Sequence, residues 1–251
     1  MRNIRLDQME EFIVKRETVS MEELRQEFNT SLNTVRRDVA LLKKKGTVEK
    51  VYGGVCARKP EQLAPFDVRN IKNQEAKTAI GKKAAGLTED GDIIFLDSGT
   101  TTLHIVMNLA KKQNITIITH SLNAIMAAVP YPNLNVITLP GQLHRKTNSF
   151  TGLEAVRLLK SYNIKKAFMA ATGFSLSHGV TNSSPLEYEL KMAAMERSEA
   201  SYLLLDSQKF GQTAMLTYAS PEKFRGIITE ARPDESYIAA LEAAGTQLIL
   251  A

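Results

Sequence analysis

The chain has no tryptophan, one cysteine (Cys56) and only 6% aromatic residues in 251 positions. A single cysteine cannot build an intramolecular disulfide or a thiolate zinc site, and it fits a reducing compartment. No run approaches the roughly 18 apolar residues that a membrane span needs. The basic start Met1-Arg2-Asn3-Ile4-Arg5 is followed by Asp7, Glu10 and Glu11, where a signal peptide would be apolar. The expectation is a cytoplasmic protein with no membrane partner. His104, His120, His144 and His178 lack ligand-type spacing, so neither a metal nor a cofactor is expected. Gly173-Phe174-Ser175-Leu176-Ser177 resembles a nucleophile elbow without its final glycine. What is present is ordinary globular material, 43% apolar and 24% charged, long enough for about two domains.

Charge is unevenly spread. Residues 1–30 carry a net −2, residues 31–59 a net +6 and residues 60–251 a net +1. A cationic excess confined to some thirty residues is the footprint expected of a phosphate-backbone binder. The same segment has helix-turn-helix patterning. Leu6, Met9, Phe12 and Ile13 recur at helical spacing. Ser20-Met21-Glu22-Glu23 reads as a capping box that opens a second helix over 21–28. Ser31 caps a third helix over 32–44, whose Val35, Val39 and Leu42 form one buried stripe. Asn33, Thr34, Arg36 and Arg37 then project elsewhere, and Arg and Asn are the side chains that pair with guanine and adenine edges. Lys43, Lys44 and Lys45 suit phosphates. The alternating run 47–52, ending at Gly53-Gly54, reads as a wing.

Residues 58–65 carry two prolines and no periodicity, which is linker composition. Beyond lies a helix over 74–87, then apolar runs at 93–96, 115–119, 135–139, 167–171, 202–205, 227–229 and 247–250, separated by helical stretches. Strands apolar on both faces imply a mainly parallel sheet covered on both sides, hence an α/β domain. The expected division is a winged helix-turn-helix at 1–57, a linker at 58–73 and an effector domain at 74–251. Four polar clusters follow strands: Asp97-Ser98-Gly99-Thr100-Thr101-Thr102, Thr119 to Asn123, Gly173 to Ser175 with Gly179 to Asn182, and Asp206 to Gly211. The first opens a helix, where free amides and hydroxyls favour an anion. It is neither a Walker A loop nor a dinucleotide fingerprint.

Thr34-Val35-Arg36-Arg37-Asp38, Gly46 and Tyr52-Gly53-Gly54-Val55 resemble the N-terminal signature of the DeoR family of bacterial transcriptional regulators. The resemblance implies operator double-stranded DNA as a partner, contacted by Ser31, Asn33, Thr34, Arg36, Arg37, Lys44, Lys45 and Tyr52. Asp38 is expected to pair with a neighbouring arginine, since phosphate would repel it. The D-S-G-T-T-T, G-x-S with G-V-T, and D-S-x-K-F-G segments are similar to the family's C-terminal sensor domain, related in fold to ribose-5-phosphate isomerase. That implies a phosphorylated sugar effector, with Gly99, Thr100, Thr101, Thr102 and Lys209 on the phosphate. Asp97, Glu187 and Lys191, with Gly173 and Ser175, would complete the site. The isomerases carry an acidic segment after the corresponding strand, whereas here it reads Ala170-Ala171-Thr172-Gly173-Phe174. Without a positioned base the pocket is expected to bind and not to turn over. The resemblance is greatest to the branch controlling myo-inositol catabolism, which implies a repressor, a keto-deoxygluconate phosphate effector and a homo-oligomer, dimer or tetramer. An activator with the same sensor, or an isomerase-like enzyme, are the alternatives.

Overall fold

A computed structural model of the protein describes residues 2–45, 47–57 and 63–251, without the side chains of residues 2–4, 44 and 45. The chain divides into two compact units, Met1–Gln62 and Leu63–Ala251.

The first unit runs α1 (Arg2–Arg16), β1 (Thr18–Ser20), α2 (Met21–Glu27), α3 (Leu32–Lys45), β2 (Val48–Val51) and β3 (Gly54–Ala57). The capping box forms: Ser20 Oγ accepts the Glu23 amide at 3.1 Å, and Glu23 Oε2 accepts the Ser20 amide at 2.7 Å. Val35, Val39 and Leu42 pack with Met9, Ile13, Leu24, Val48 and Val55 in one core. Each such side chain contributes about 1.5–3 kcal/mol through burial. The structure adds β1, a strand too short to show in the sequence pattern. It pairs with β3 to make an antiparallel sheet of order β1-β3-β2. The glycine pair is explained by this sheet. Gly53 turns with φ +78, and a Cβ on Gly54 would stand 2.4 Å from Val19 O on β1.

The second unit begins with α4 (Phe66–Asn70) and α5 (Gln74–Gly86), followed by β4 (Ile93–Leu96), α6 (Thr100–Val106), β5 (Ile115–Thr119), α7 (Leu122–Ala128) and β6 (Leu134–Thr138). A hairpin of β7 (Gln142–His144) and β8 (Ser149–Thr151) leads to α8 (Leu153–Leu159) and β9 (Ile164–Ala170). Then come β10 (Gly173–Ser175), β11 (Gly179–Asn182), α9 (Pro185–Glu196), β12 (Ser198–Leu204), β13 (Leu216–Ala219), β14 (Gly226–Thr229), α10 (Glu235–Ala243) and β15 (Gln247–Leu250). Seven strands form one parallel sheet in the order β15-β14-β12-β9-β4-β5-β6. β10, β11 and β13 make a separate antiparallel sheet.

Alternation along the strands divides the core between two faces. Ile94, Leu96, Phe168 and Leu204 join Ile80 and Ala84 of α5 and Ile105 of α6. Phe95, Ala167, Met169 and Leu203 join Ala155 of α8 and Leu190 and Ala194 of α9. α4 lies in the stretch read from composition as a linker, and it is packed: Phe66 is buried and its amide donates to Lys146 O at 3.0 Å. Two prolines mark where a helix starts as readily as where chain runs free.

The strand order places β4 beside both β5 and β9. The chain winds outward from β4 through β5 and β6, then returns to β9 on the other side. The carboxyl ends of β4 and β9 therefore flank a switch point, where open parallel sheets bind ligands.

Candidate functional site

In the N-terminal unit, Ser31 Oγ accepts the Thr34 amide at 3.2 Å and sits 3.0 Å from Thr34 Oγ1, so Ser31 caps α3. Val35, Val39 and Leu42 are turned inward. Asn33, Arg36 and Arg37 are exposed on the first turns of α3, and Thr34 is half-buried. Neither arginine has an ion pair among the described residues. Asp38 is buried, and Arg5 Nε and Nη2 both reach its Oδ2 at 2.9 Å. Its partner is thus an arginine of α1, 33 positions away. Tyr52 is fully exposed at the tip between β2 and β3. Gly46 and the side chains of Lys44 and Lys45 lie outside the described residues.

In the C-terminal unit, Asp97 leaves the end of β4 and is saturated by protein. Its Oδ1 accepts the Ser98 amide at 2.9 Å, and its Oδ2 accepts the Ala170 amide at 2.8 Å together with Lys191 Nζ. Lys191 also donates to Ala170 O at 3.0 Å and lies over the Tyr218 ring, whose hydroxyl donates to the same carbonyl at 2.9 Å. One turn earlier on α9, Glu187 Oε1 accepts Ser98 Oγ at 2.6 Å and Ser149 Oγ at 2.8 Å. His120, at the end of β5, is stacked on Phe95 with Nε2 3.8 Å from Asp97 and 3.9 Å from Glu187. Burial pushes the Glu187 carboxyl up, but His120, Lys191 and Ser98 outweigh it and hold it well below the usual carboxylate range. Burial, seconded by Asp97, pushes the Tyr218 phenol up.

This geometry revises several expected roles. Asp97 and Lys191 are buried and bonded to each other, and Glu187 Oε1 is taken by Ser98 and Ser149, so the three side chains brace the turn after β4. Thr102 faces inward, its hydroxyl donating to Asp97 O at 2.7 Å and Gly99 O at 2.9 Å. Gly99 is fixed by close approach, since a Cβ there would stand 2.2 Å from the Ala170 Cβ. Thr100 and Thr101 start α6, and neither hydroxyl has a hydrogen bond among the described residues. Lys209 is half-buried in the turn after β12, near enough to Lys77 for their charges to interact. Gly173 and Ser175 are not drawn into this cluster. Gly173 is wedged against Gln212 O, and Ser175 Oγ accepts from Thr213 Oγ1 at 3.0 Å and the His178 amide at 3.2 Å.

Ser98, His120, Ser149 and Tyr218 join the cluster without having been read as site residues. Ser98 and His120 each carried a signal, a place in a polar run after a strand. Ser149 and Tyr218 come from strands whose approach depends on tertiary packing alone.

The two units are those of a DNA-binding regulator with a C-terminal sensor domain. Residues 5–61 match the DeoR-like helix-turn-helix domain and residues 72–231 the DeoR C terminal sensor domain. The chain belongs to the DeoR family of transcriptional regulators. It is 46% identical to the HTH-type transcriptional regulator IolR of Bacillus subtilis, over 94% of both chains. It is 30% identical to the regulator GolR of Listeria innocua over 93% of this chain and 92% of that one. It is 31% identical to a lactose phosphotransferase system repressor of Staphylococcus epidermidis over 90% and 91%. Among solved structures, ribose 5-phosphate isomerase A of Methanocaldococcus jannaschii aligns over 55% of each chain, with TM-score 0.41 and 19% identity. Among the described residues no helix is long and apolar enough to cross a membrane.

Proposed function

We propose that the protein is a homo-oligomeric repressor of a sugar or polyol catabolic operon, released from operator DNA by a phosphorylated sugar. Arg36, Arg37 and Asn33 read base edges, Ser31, Thr34 and Tyr52 help to fix the register, and Lys44 and Lys45 hold phosphates. The phosphorylated effector lies at the switch point, against the Gly99–Thr101 turn and Lys209. The observation that carries this reading is the braced turn itself. Asp97, Lys191, Glu187 and Ser98 hold it in a fixed shape, and the Thr100 and Thr101 hydroxyls have no hydrogen bond among the described residues. The name repressor is carried by relatives such as that of Staphylococcus epidermidis. The resemblance in the recognition helix and the Asp97–Thr102 segment supports myo-inositol catabolism and a keto-deoxygluconate phosphate effector.

Effector and operator must weaken each other by the same factor, because the coupling is one free energy. The test is a thermal-shift panel of phosphorylated and unphosphorylated sugars, followed by operator release with any hit. A ligand at 100 times its Kd should stabilise the fold by about 2.7 kcal/mol. Silence across the phosphorylated set removes the sensor reading, and a hit that leaves operator affinity unchanged removes the induction mechanism.

A further inference from the structure

Arg69 stands on α4 with no counter-ion in contact among the described residues. Its Nε donates to Ala64 O at 2.9 Å and its guanidinium lies over the Phe66 ring at 5.6 Å, both within its own segment. Nη2 is shut off from solvent and has no hydrogen-bond partner. A guanidinium N–H left in that condition destabilises the fold, and such groups call for an explanation. Glu187 and Asp97 attract Arg69 from a distance, and Lys77 opposes it with a like charge. Both Asp97 oxygens are taken by Ser98, Ala170 and Lys191, and Glu187 Oε1 by Ser98 and Ser149. Arg69 is thus at the ligand end of the sheet, drawn toward the site and bonded to nothing in it.

Lys77 repeats the theme from α5. It is 4% exposed, its Nζ donates only to Arg69 O at 2.5 Å, and burial draws its pKa down to about 8 against the attraction of Asp206. Lys209 adds a like charge nearby. Asp206 is itself held by Asn73 Nδ2 at 3.1 Å. The segment 63–73 is thereby tied across the carboxyl ends of the strands, to the β7–β8 turn through Phe66 and to the end of β12 through Asn73.

We propose that Arg69 and Lys77 bind the anionic group of the ligand together with Lys209, so that segment 63–73 is a wall of the ligand site. This rests on the reading of the C-terminal unit as a sensor of phosphorylated compounds. A phosphate oxygen supplies the acceptor that Nη2 lacks and adds to Asp206 a second negative charge beside Lys77. Because Lys77 is incompletely protonated near pH 8, its amine takes up a proton as an anion binds beside it.

The test uses the full chain and inorganic phosphate as probe, with chloride at matched ionic strength as control. Arg69→Met should weaken phosphate binding about tenfold or more while leaving the melting temperature unchanged or raised. Arg69→Lys should recover part of the affinity. Calorimetry of the natural chain at pH 8, in two buffers of different ionisation enthalpy, should show net proton uptake that disappears in Lys77→Gln. A lower melting temperature with unchanged affinity in Arg69→Met makes Arg69 a structural residue and overturns the proposal. So does unchanged affinity in Arg69→Met and Arg69→Lys when Lys209→Ala abolishes binding, a result that leaves the sensor reading intact. Absence of proton uptake at pH 8 removes Lys77 from the site. No response of the natural chain to phosphate or to any phosphorylated sugar overturns the sensor reading and this proposal with it.

Discussion

Lys191 donates to Asp97 across 94 positions of sequence, with their side chains 3% and 0% exposed. The pair closes the end of β4 onto α9 and fixes where the following turn begins. Removing one partner leaves an uncompensated buried charge, which costs about 3–5 kcal/mol. Lys191→Met and Asp97→Asn should each lower the urea stability of the C-terminal unit by about that much. The double variant should lose less than the two together, as a double-mutant cycle measures. Additive losses would show that the two side chains do not depend on each other.

Gly99 and Ala170 press together at the switch point. The φ of Gly99 is an ordinary −69°, so alanine there meets no backbone penalty. The obstacle is the Ala170 Cβ at 2.2 Å. Gly99→Ala should destabilise the unit by about 1–3 kcal/mol through overpacking and weaken effector binding. Ala170→Gly added to it should restore much of both losses, since it removes the clashing atom. Failure of that rescue in a melting and ligand-binding assay would mean that the turn needs glycine for another reason.

Lys77 gives the C-terminal unit a pH signature. Its pKa falls from 10.5 in the unfolded chain to about 8 in the fold, with burial as the largest cause. Between those values the unfolded state binds more protons, so this group makes stability rise with pH from about 8 to about 10.5. Lys77→Gln should flatten that rise and leave the protein at pH 7 more stable than the natural chain. Equal slopes of denaturation midpoint against pH for the two proteins would count against it.

Arg37 and Asp38 are neighbours with opposite tasks. Arg37 is exposed and Asp38 is buried against Arg5. Arg37→Ala should leave the melting temperature unchanged and lower specific operator affinity by about 1–3 kcal/mol. Asp38→Ala should instead unfold the N-terminal unit more easily, losing operator binding as a consequence. Fluorescence anisotropy on promoter DNA, paired with melting curves, separates the two. Unaltered affinity in Arg37→Ala would take it off the DNA.

The local elements were legible because each depends on nearby residues. Helical spacing marks α1 and α3, the capping box marks α2, and short apolar runs mark the seven parallel strands. The Ser20–Glu23 capping box and the Ser31 cap are formed within four residues. The family motifs lie in continuous segments. Short strands such as β1, β10 and β11, and the packing of α4, were decided by partners distant in the chain. The site divided in the same way. That Gly99, Thr100 and Thr101 open a helix is written in the sequence. That Asp97, Glu187 and Lys191 brace the turn, that Thr102 faces inward, and that Arg69 Nη2 is buried without a hydrogen bond are consequences of tertiary packing. Burial and hydrogen-bond saturation are properties of the folded neighbourhood, set by β4, β9, α4 and α9 meeting at one end of the sheet.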